Sequence, residues 1–275
     1  MRRAIVVGST GYVGSAVVHR LIKEGIETFA LGRKDLDKLE AILPIQSSDL
    51  RYLKIDSKNI DDLLKSDELT QWCKNNDTVF FNFSWLGRSR LTDGTLEEQL
   101  RNVGLATKAV EVASKLGCIK YINSGSQEEY LLDRYLKHDW KNKGYESSSK
   151  NYAFAKLLTR DMSTLIGYLE KINYVNTRFS VVIDKDLSGT GYISSTLKKL
   201  RGDLEYSPPK NMDLFEILDV HELAEAYFLI GKFGKNKSDY YIRNGEVGRL
   251  VDFFNRFSDC KNEFVYTLPS SGAVL

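Results

Sequence analysis

Cysteine, histidine, methionine, tryptophan and proline are all scarce in this chain: the 275 residues include three Cys, three His, three Met, three Trp and four Pro. Cys73, Cys118 and Cys260 are far apart and odd in number, which predicts neither a disulfide framework nor a zinc site. His19, His138 and His221 lack ligand spacing as well, so no metal is expected. Neither sign of charge predominates. The 39 Lys plus Arg against 37 Asp plus Glu leave a net +2, without the concentrated basic face that nucleic-acid binding requires. No apolar run approaches the roughly 20 residues of a membrane span. The first apolar stretch, Ala4 to Val7, is strand-sized and runs into glycines, which predicts no signal peptide. The expectation is a soluble, cytoplasmic protein with neither nucleic acid nor membrane as a partner.

Core-forming residues, by contrast, are plentiful. The apolar fraction is 42%, with 15 Tyr and 13 Phe, which excludes a disordered chain. The length suits one large α/β domain or two small ones, at roughly 100–200 residues per domain. Ala4-Ile-Val-Val7 reads as a parallel strand buried on both faces. Val13, Val17, Val18, Leu21 and Ile22 recur at helical spacing, with Gly25 as the helix stop. Further strands are predicted at Thr28–Leu31, Tyr52–Ile55, Thr78–Phe83, Cys118–Ile122 and Tyr174–Ile183. Helices are predicted at Leu36–Leu43, Ile60–Leu64, Leu69–Cys73, Glu97–Leu116, Ala153–Ile166, 193–201, 222–231 and 247–257. Such alternation demands crossovers and hence a mostly parallel sheet with helices on both faces. Leu131–Ser149 is polar and mixed in charge, either a solvated surface excursion or a lid over a site.

Gly8-Ser-Thr-Gly11-Tyr-Val-Gly14 stands between the first strand and the first helix. Small residues there let backbone approach a pyrophosphate, while the helix start offers free N–H groups and a positive dipole end. The spacing is GxxGxxG, and its strand-then-helix context predicts dinucleotide binding. The second strand ends in Leu31-Gly-Arg33-Lys34. An acidic residue there suits the ribose 2′-OH of NAD, and a basic one suits the 2′-phosphate of NADP. Arg33, supported by Lys34, therefore points to NADP(H), the alternative being two solvated charges in a turn. Asp35 keeps NAD(H) open. Asp56, past the third strand, either meets the adenine or caps the following helix.

Tyr152-Ala-Phe-Ala-Lys156 puts a phenol and an ammonium one helical turn apart. Proton transfer to a carbonyl oxygen wants this pair, because a free phenol with a pKa of about 10 is a poor acid–base group at neutral pH. A neighbouring ammonium stabilises the phenolate. A solvated Tyr–Lys pair is the plain alternative, which the upstream glycine loop disfavours. Asn123-Ser-Gly-Ser126 follows the fifth strand at the carboxyl end of a parallel sheet, where ligands bind. Ser126 is either a hydroxyl donor beside Tyr152 or part of an ordinary Ser/Gly turn.

Taken together, the glycine loop, Ser126-Gln-Glu-Glu-Tyr130, Tyr152-Ala-Phe-Ala-Lys156 and the Arg178-Phe-Ser-Val-Val strand resemble the extended short-chain dehydrogenase/reductase superfamily over nearly the whole chain. Within it, the resemblance is to the nucleotide-sugar epimerase, dehydratase and 4-keto-reductase group. The resemblance implies a doubly wound Rossmann domain over residues 1–177. A small α/β substrate-binding lobe would come mainly from 178–275, with some segments returning to the first domain. It implies Ser126, Tyr152 and Lys156 as the catalytic set. Cofactor contacts are implied for Gly8, Thr10, Gly11, Tyr12, Val13, Gly14, Arg33, Lys34, Asp56 and Ser57. They are also implied for Phe83 and Ser84 after the fourth strand, Asn102 in the next helix, Tyr152, Lys156 and Phe179. Trp85, Arg88, Glu128, Arg178 and Ser180 are expected to line the sugar pocket. The helices after the fourth and fifth strands are expected to pair in a homodimer.

Some positions depart from the group. Gln127 replaces the first of two acids that follow the serine in sugar dehydratases of the best-known kind, which argues against the dTDP-glucose type of 4,6-dehydratase. The GDP-mannose type stays open, since Glu128 keeps the second; Leu131 replaces a glycine, and Glu222 an aspartate. With the compact lobe and the basic Arg33, this points to NADPH-dependent reduction of the C4 ketone of a nucleotide-linked 4-keto-6-deoxyhexose. An NAD(P)-dependent epimerase or 4,6-dehydratase is the alternative enzyme, and a non-catalytic NADP(H)-sensing protein is the alternative of another class.

Overall fold

The computed structural model of the protein describes residues 1–74, 77–87, 94–138, 149–202, 204–205 and 214–259. Strand and helix alternate through β1 (Arg3–Val7), α1 (Tyr12–Lys23), β2 (Glu27–Gly32), β3 (Leu50–Lys54), α2 (Asp67–Cys73) and β4 (Thr78–Asn82). They continue through α3 (Leu96–Lys115), β5 (Lys120–Ser124), α4 (Gln127–His138), α5 (Lys150–Leu169) and β6 (Asn173–Phe179). The apolar runs behave as period-two strands covered on both faces. Ala4 and Val6 join one buried cluster with Val17, Leu21, Leu223 and Tyr227, whereas Ile5 and Val7 join another with Trp72, Val110 and Ala113.

Downstream come β7 (Val181–Ile183), α6 (Tyr192–Arg201), β8 (Leu214–Phe215), β9 (Ile217–Asp219), α7 (Val220–Phe233), β10 (Ser238–Ile242), β11 (Gly248–Arg249) and α8 (Leu250–Asp259). The main sheet has seven strands in the order β10-β6-β5-β4-β1-β2-β3, every neighbouring pair parallel. It is a Rossmann-like doubly wound sheet, and its order reverses between β1 and β4, which opens a crevice at the carboxyl ends of those strands. β7 pairs with β9 and β8 with β11 outside it. A separate apolar cluster, with Leu197 and Phe254 at its centre, joins α6 and α8 to these short strands. Among the described residues no helix is long and apolar enough to cross a membrane.

Several predicted elements needed correction. Leu36–Leu43 is not a helix: only a 3-10 turn, Leu36–Lys38, forms there, because the only side chains of that stretch buried are Leu39 and Leu43. The expected helix over Ile60–Leu64 is likewise 3-10, Ser57–Lys65. The fifth strand begins at Lys120 rather than Cys118. The strand expected over 174–183 is two strands broken at Ser180, since β6 belongs to the main sheet and β7 pairs elsewhere. The polar stretch 131–149 is helical up to His138 as the end of α4, and 139–148 lie outside the described residues. The last helix begins at Leu250, not 247, because Gly248–Arg249 pair with β8.

Tyr227 of α7 shows how the second helical layer supports the crevice. Fully buried, it packs edge-on under Phe83 at 4.7 Å and Phe179 at 6.4 Å, and its hydroxyl lies 2.7 Å from Thr177 Oγ1. Thr177 Oγ1 already donates to the Asn123 carbonyl at 2.7 Å, so the phenol donates to the threonine. Tyr227→Phe deletes this bond and the hydroxyl's second hydrogen bond, with the Ser124 side chain, without changing shape. Urea unfolding should show a loss of about 2 kcal/mol at unchanged m.

Candidate active site

The first wall of the crevice is the glycine loop. Gly8 has φ +80°, and a Cβ there would lie 2.9 Å from the Phe83 carbonyl carbon in the segment after β4. A side chain at Gly14 would run into the Gly8 carbonyl oxygen. Both positions thus require glycine for backbone to meet backbone. No side chain caps the first turn of α1 and no acid sits in it, so its N–H groups and dipole face the crevice uncompensated. Thr10 packs against Gly32, where a Cβ would be 2.9 Å from its methyl, and Val13 packs into the core. The half-buried Tyr12 phenol is pushed above its ordinary range by burial and the neighbouring Asp184 carboxylate.

A cavity of about 610 Å³ opens beyond β2 and β3, with Arg33, Lys54, Asp56, Asn59 and Lys65 in its lining. Asp35 is taken up by Lys54, whose ammonium holds its carboxyl below the ordinary range. Among the described residues Arg33 makes no hydrogen bond or ion pair and stands exposed. Lys34 uses its carbonyl, which accepts from Tyr52 Oη at 2.8 Å. Asp56 caps the 3-10 helix that opens at Ser57, accepting from Lys58 N–H at 3.0 Å.

The segment after β4 forms the next wall. Asn82 Oδ1 accepts from both the N–H and the Oγ of Ser84, which tightens the turn beyond Phe83. Asn102 is turned onto this segment: it accepts from Leu86 N–H at 2.7 Å and donates to Leu86 O at 3.0 Å. Its amide therefore shapes the wall. Trp85 is fixed by its Nε1 donating to Gln99 Oε1 at 3.0 Å. Arg88 lies outside the described residues.

Beyond β5, Tyr152 and Lys156 of α5 come beside the strand end that leads into Ser126. Lys156 Nζ donates to the Ser124 carbonyl at 2.7 Å, tying α5 to the end of the strand that carries Ser126. The same ammonium lies 3.8 Å over the Trp85 ring, and Trp85 meets Tyr152 edge-on at 5.7 Å. Tyr152 and Lys156 are 9% and 5% exposed, and the ammonium lies 5.7 Å from the Tyr152 ring centroid, so the two side chains are neighbours largely shielded from water. Ser126 Oγ accepts from Glu128 N–H at 3.2 Å as the cap of α4, and its own proton is committed to no acceptor among the described residues. Ser149 Oγ donates to Glu128 Oε2 at 3.0 Å, closing α4 onto the start of α5.

Two expected pocket residues differ in posture. Arg178 turns away, with Nε 2.9 Å from Asp239 Oδ1 and its guanidinium 4.8 Å over Tyr130. Ser180 stands at the break after β6, its Oγ buried without a partner. Its neighbour in register is Glu216, because Val181 pairs with Ile217. Glu216 accepts from Tyr241 Oη at 2.7 Å and keeps its other oxygen buried and unpaired. Glu216, Gln99 and the buried Glu129 were not singled out from sequence, where an isolated acid or amide carries no signal of its surroundings.

Residues 4–242 match the profile of the NAD dependent epimerase/dehydratase family. A CDP-abequose synthase of Salmonella muenchen is 24% identical over 267 residues, covering 95% of this chain and 80% of that protein. Among solved structures, UDP-N-acetylglucosamine 4-epimerase from Methanobrevibacter ruminantium, in complex with UDP-N-acetylmuramic acid, superposes with TM-score 0.72 at 18% identity, covering 96% of this chain and 83% of that one. The Bordetella bronchiseptica enzyme WbmG with NAD and UDP gives 0.69 at 15%, covering 94% and 77%.

The crevice fits a dinucleotide on its own terms. The glycine approach leaves a cradle that any Cβ would fill, the first turn of α1 has neither a side-chain cap nor an acid, and the exposed Arg33 makes no hydrogen bond or ion pair among the described residues. Gly14→Ala closes that cradle. NAD(P)H affinity, read by fluorescence titration, should fall by at least about tenfold, the cost of even modest overpacking.

Proposed function

Because the chain belongs to the NAD dependent epimerase/dehydratase family, we propose that it is an oxidoreductase acting on a nucleotide-linked sugar, and that its reaction is NADPH-dependent reduction of the C4 ketone of a 4-keto-6-deoxyhexose. The observation that carries the reading is the convergence of Tyr152 and Lys156, through Lys156 Nζ and the Ser124 carbonyl, on the strand end that bears Ser126. Gln127 in place of the first acid favours reduction over dehydration of the dTDP-glucose type. Similarity to a CDP-abequose synthase supports a deoxysugar substrate.

When bound, the cofactor supplies the hydride to C4. Gly8, Gly11 and Gly14, with Thr10, Tyr12 and Val13, hold its pyrophosphate at the start of α1. Arg33, with Lys34 beside it, receives an adenosine 2′-phosphate, and Asp56 and Ser57 border the adenine. Phe83, Ser84 and Phe179 form the floor, shaped by Asn102. As C4 becomes an alkoxide, Ser126 donates its free hydroxyl proton in a hydrogen bond to that oxygen, where charge develops. Tyr152 then transfers its phenolic proton to the same oxygen, and the phenolate left behind is stabilised by the Lys156 ammonium. Trp85 excludes water from this pair. Glu128, the buried Ser180 Oγ and the unpaired Glu216 oxygen offer partners for sugar hydroxyls, in a lobe built from the segments after 178.

An epimerase is the second reading, favoured by the fold likeness to 4-epimerases; it predicts cofactor that co-purifies and is not consumed. The buried free thiols of Cys73 and Cys118 suit the cytoplasm. A homodimer through α3 and α5 is supported by Leu100, Phe154, Met162 and Leu165, each at least 39% exposed on those helices.

NADPH oxidation should be measured with CDP-, dTDP-, GDP- and UDP-4-keto-6-deoxy sugars, with NADH in parallel. Stoichiometric consumption with one of them is expected, and its absence with cofactor still bound would transfer the assignment to the epimerase. In Tyr152→Phe turnover should drop at least about 100-fold, with NADPH affinity nearly intact; undiminished turnover removes Tyr152 from its role. Arg33→Ser should weaken NADPH by about 10- to 100-fold and leave NADH unchanged, the loss expected for a hydrogen-bonded charge.

A further inference from the structure

Glu129 is fully buried, one residue short of the exposed Tyr130. At the start of α4 it forms one half of a capping box, Oε2 accepting from the Ser126 N–H at 3.3 Å. A cap has no need of burial. The equivalent box on α3 uses Thr95 and Glu98, and Glu98 stands in solvent. Desolvating a carboxylate is costly unless it is paired and hydrogen-bonded.

The surroundings of Glu129 supply such partners. Its Oε1 accepts from Asn176 Nδ2 at 2.6 Å, and the same amide donates to Asp239 Oδ1 at 3.0 Å. Asn176 Oδ1 accepts from Asn123 Nδ2 at 2.9 Å, linking the carboxyl to the end of β5. At Gly125, between Ser124 and Ser126, a Cβ would lie 2.8 Å from Glu129 Oε1, so the loop lies directly on the carboxyl. The charged groups facing it are Lys156 and Arg160 on α5 and Asp239 on β10, with Tyr174 of β6 and Tyr227 of α7 within its field. Arg178 and Arg160 in turn neutralise Asp239.

We propose that Glu129 is a positioning residue for the reaction: its buried carboxyl seats the Ser126 backbone, and its ionisation sets the charge felt by Lys156. The proposal rests on the reading of Ser126 and Lys156 as active-site groups. Burial pushes Glu129 up to about 7, opposed by the Asn176 hydrogen bond and by Lys156. The carboxyl therefore changes charge near neutral pH, directly behind the acid–base pair.

The test uses the whole protein labelled with 13Cε-lysine, the Lys156 resonance being assigned by its loss in Lys156→Met. In wild type that resonance should step near pH 7, and in Glu129→Gln it should run flat through the same range. A step that persists in the variant, or no step in wild type, overturns the proposal. This readout needs no substrate, so it judges Glu129 even if no sugar is turned over, which would instead defeat the proposed reaction. With an active sugar, the pH profile of kcat should lose its inflection near 7 in Glu129→Gln while KM for NADPH holds. Stability gives the sign independently. A carboxyl raised on folding contributes stability below its free value of 4.5 that is lost as pH rises to about 7. The melting temperature of wild type should fall over that window, and that of Glu129→Gln should not. Should the variant fail to fold, wild type labelled at glutamate 13Cδ decides: one resonance titrating near 7 together with the Lys156 step is expected, and a flat Lys156 signal overturns the proposal.

Discussion

Backbone meeting backbone at Gly8 is the constraint on which the rest of the molecule depends. The β1 turn and the segment after β4 lie so close that a single Cβ would stand 2.9 Å from the Phe83 carbonyl carbon. That contact is possible only because β1 and β4 are parallel neighbours in register, Val7 opposite Asn82. The reversal of strand order there leaves their carboxyl ends uncovered by any crossover, and the start of α1 then points its free amides into the gap. The segment after β4 is fixed along this edge: Ser84 on Asn82, Trp85 on Gln99, and Leu86 on Asn102.

Buried polar groups carry the precision of the site. Asn123, Asn176, Glu129 and Asp239 form a continuous hydrogen-bonded line beneath the Ser126 loop, crossing from β5 through β6 to β10. Such a network costs desolvation and returns rigidity, because each member has only one arrangement that satisfies its neighbours. Lys156 uses the same economy of position: the Ser124 carbonyl and the Trp85 face hold the ammonium from two sides. Apolar packing from Tyr227 under Phe83 and Phe179 keeps the opposite layer from moving relative to it.

Family membership and the fold agree with a nucleotide-sugar oxidoreductase, and the departures within the chain define its individuality. Gln127 stands beside Glu128 after the Ser126 turn, and Glu129 introduces a carboxyl into the core just behind them. Arg33 occupies the end of β2 while Asp35, the acid nearest to it, is drawn to Lys54. These are changes of charge at fixed backbone positions, the kind by which one fold hosts different chemistries.

The amino-acid sequence by itself determined the strand–helix alternation, the glycine loop and the Tyr152–Lys156 pair. Each of these is a matter of residues within one strand or one helical turn, where periodicity and side-chain size decide. Elements with weak apolar faces were not legible in the same way: Leu36–Leu43 had the spacing of a helix but too little surface to bury, and the strand through Ser180 had no local signal for a change of sheet. The posture of the site was decided only by tertiary structure. Glu129 meets Asn176 across 47 positions of sequence and Asn176 meets Asp239 across 63; Arg178 is claimed by an aspartate on the next strand. Whether an acid, amide or guanidinium is buried, paired or free depends on which distant segments the sheet order brings beside it, and nothing in its immediate neighbours along the chain encodes that.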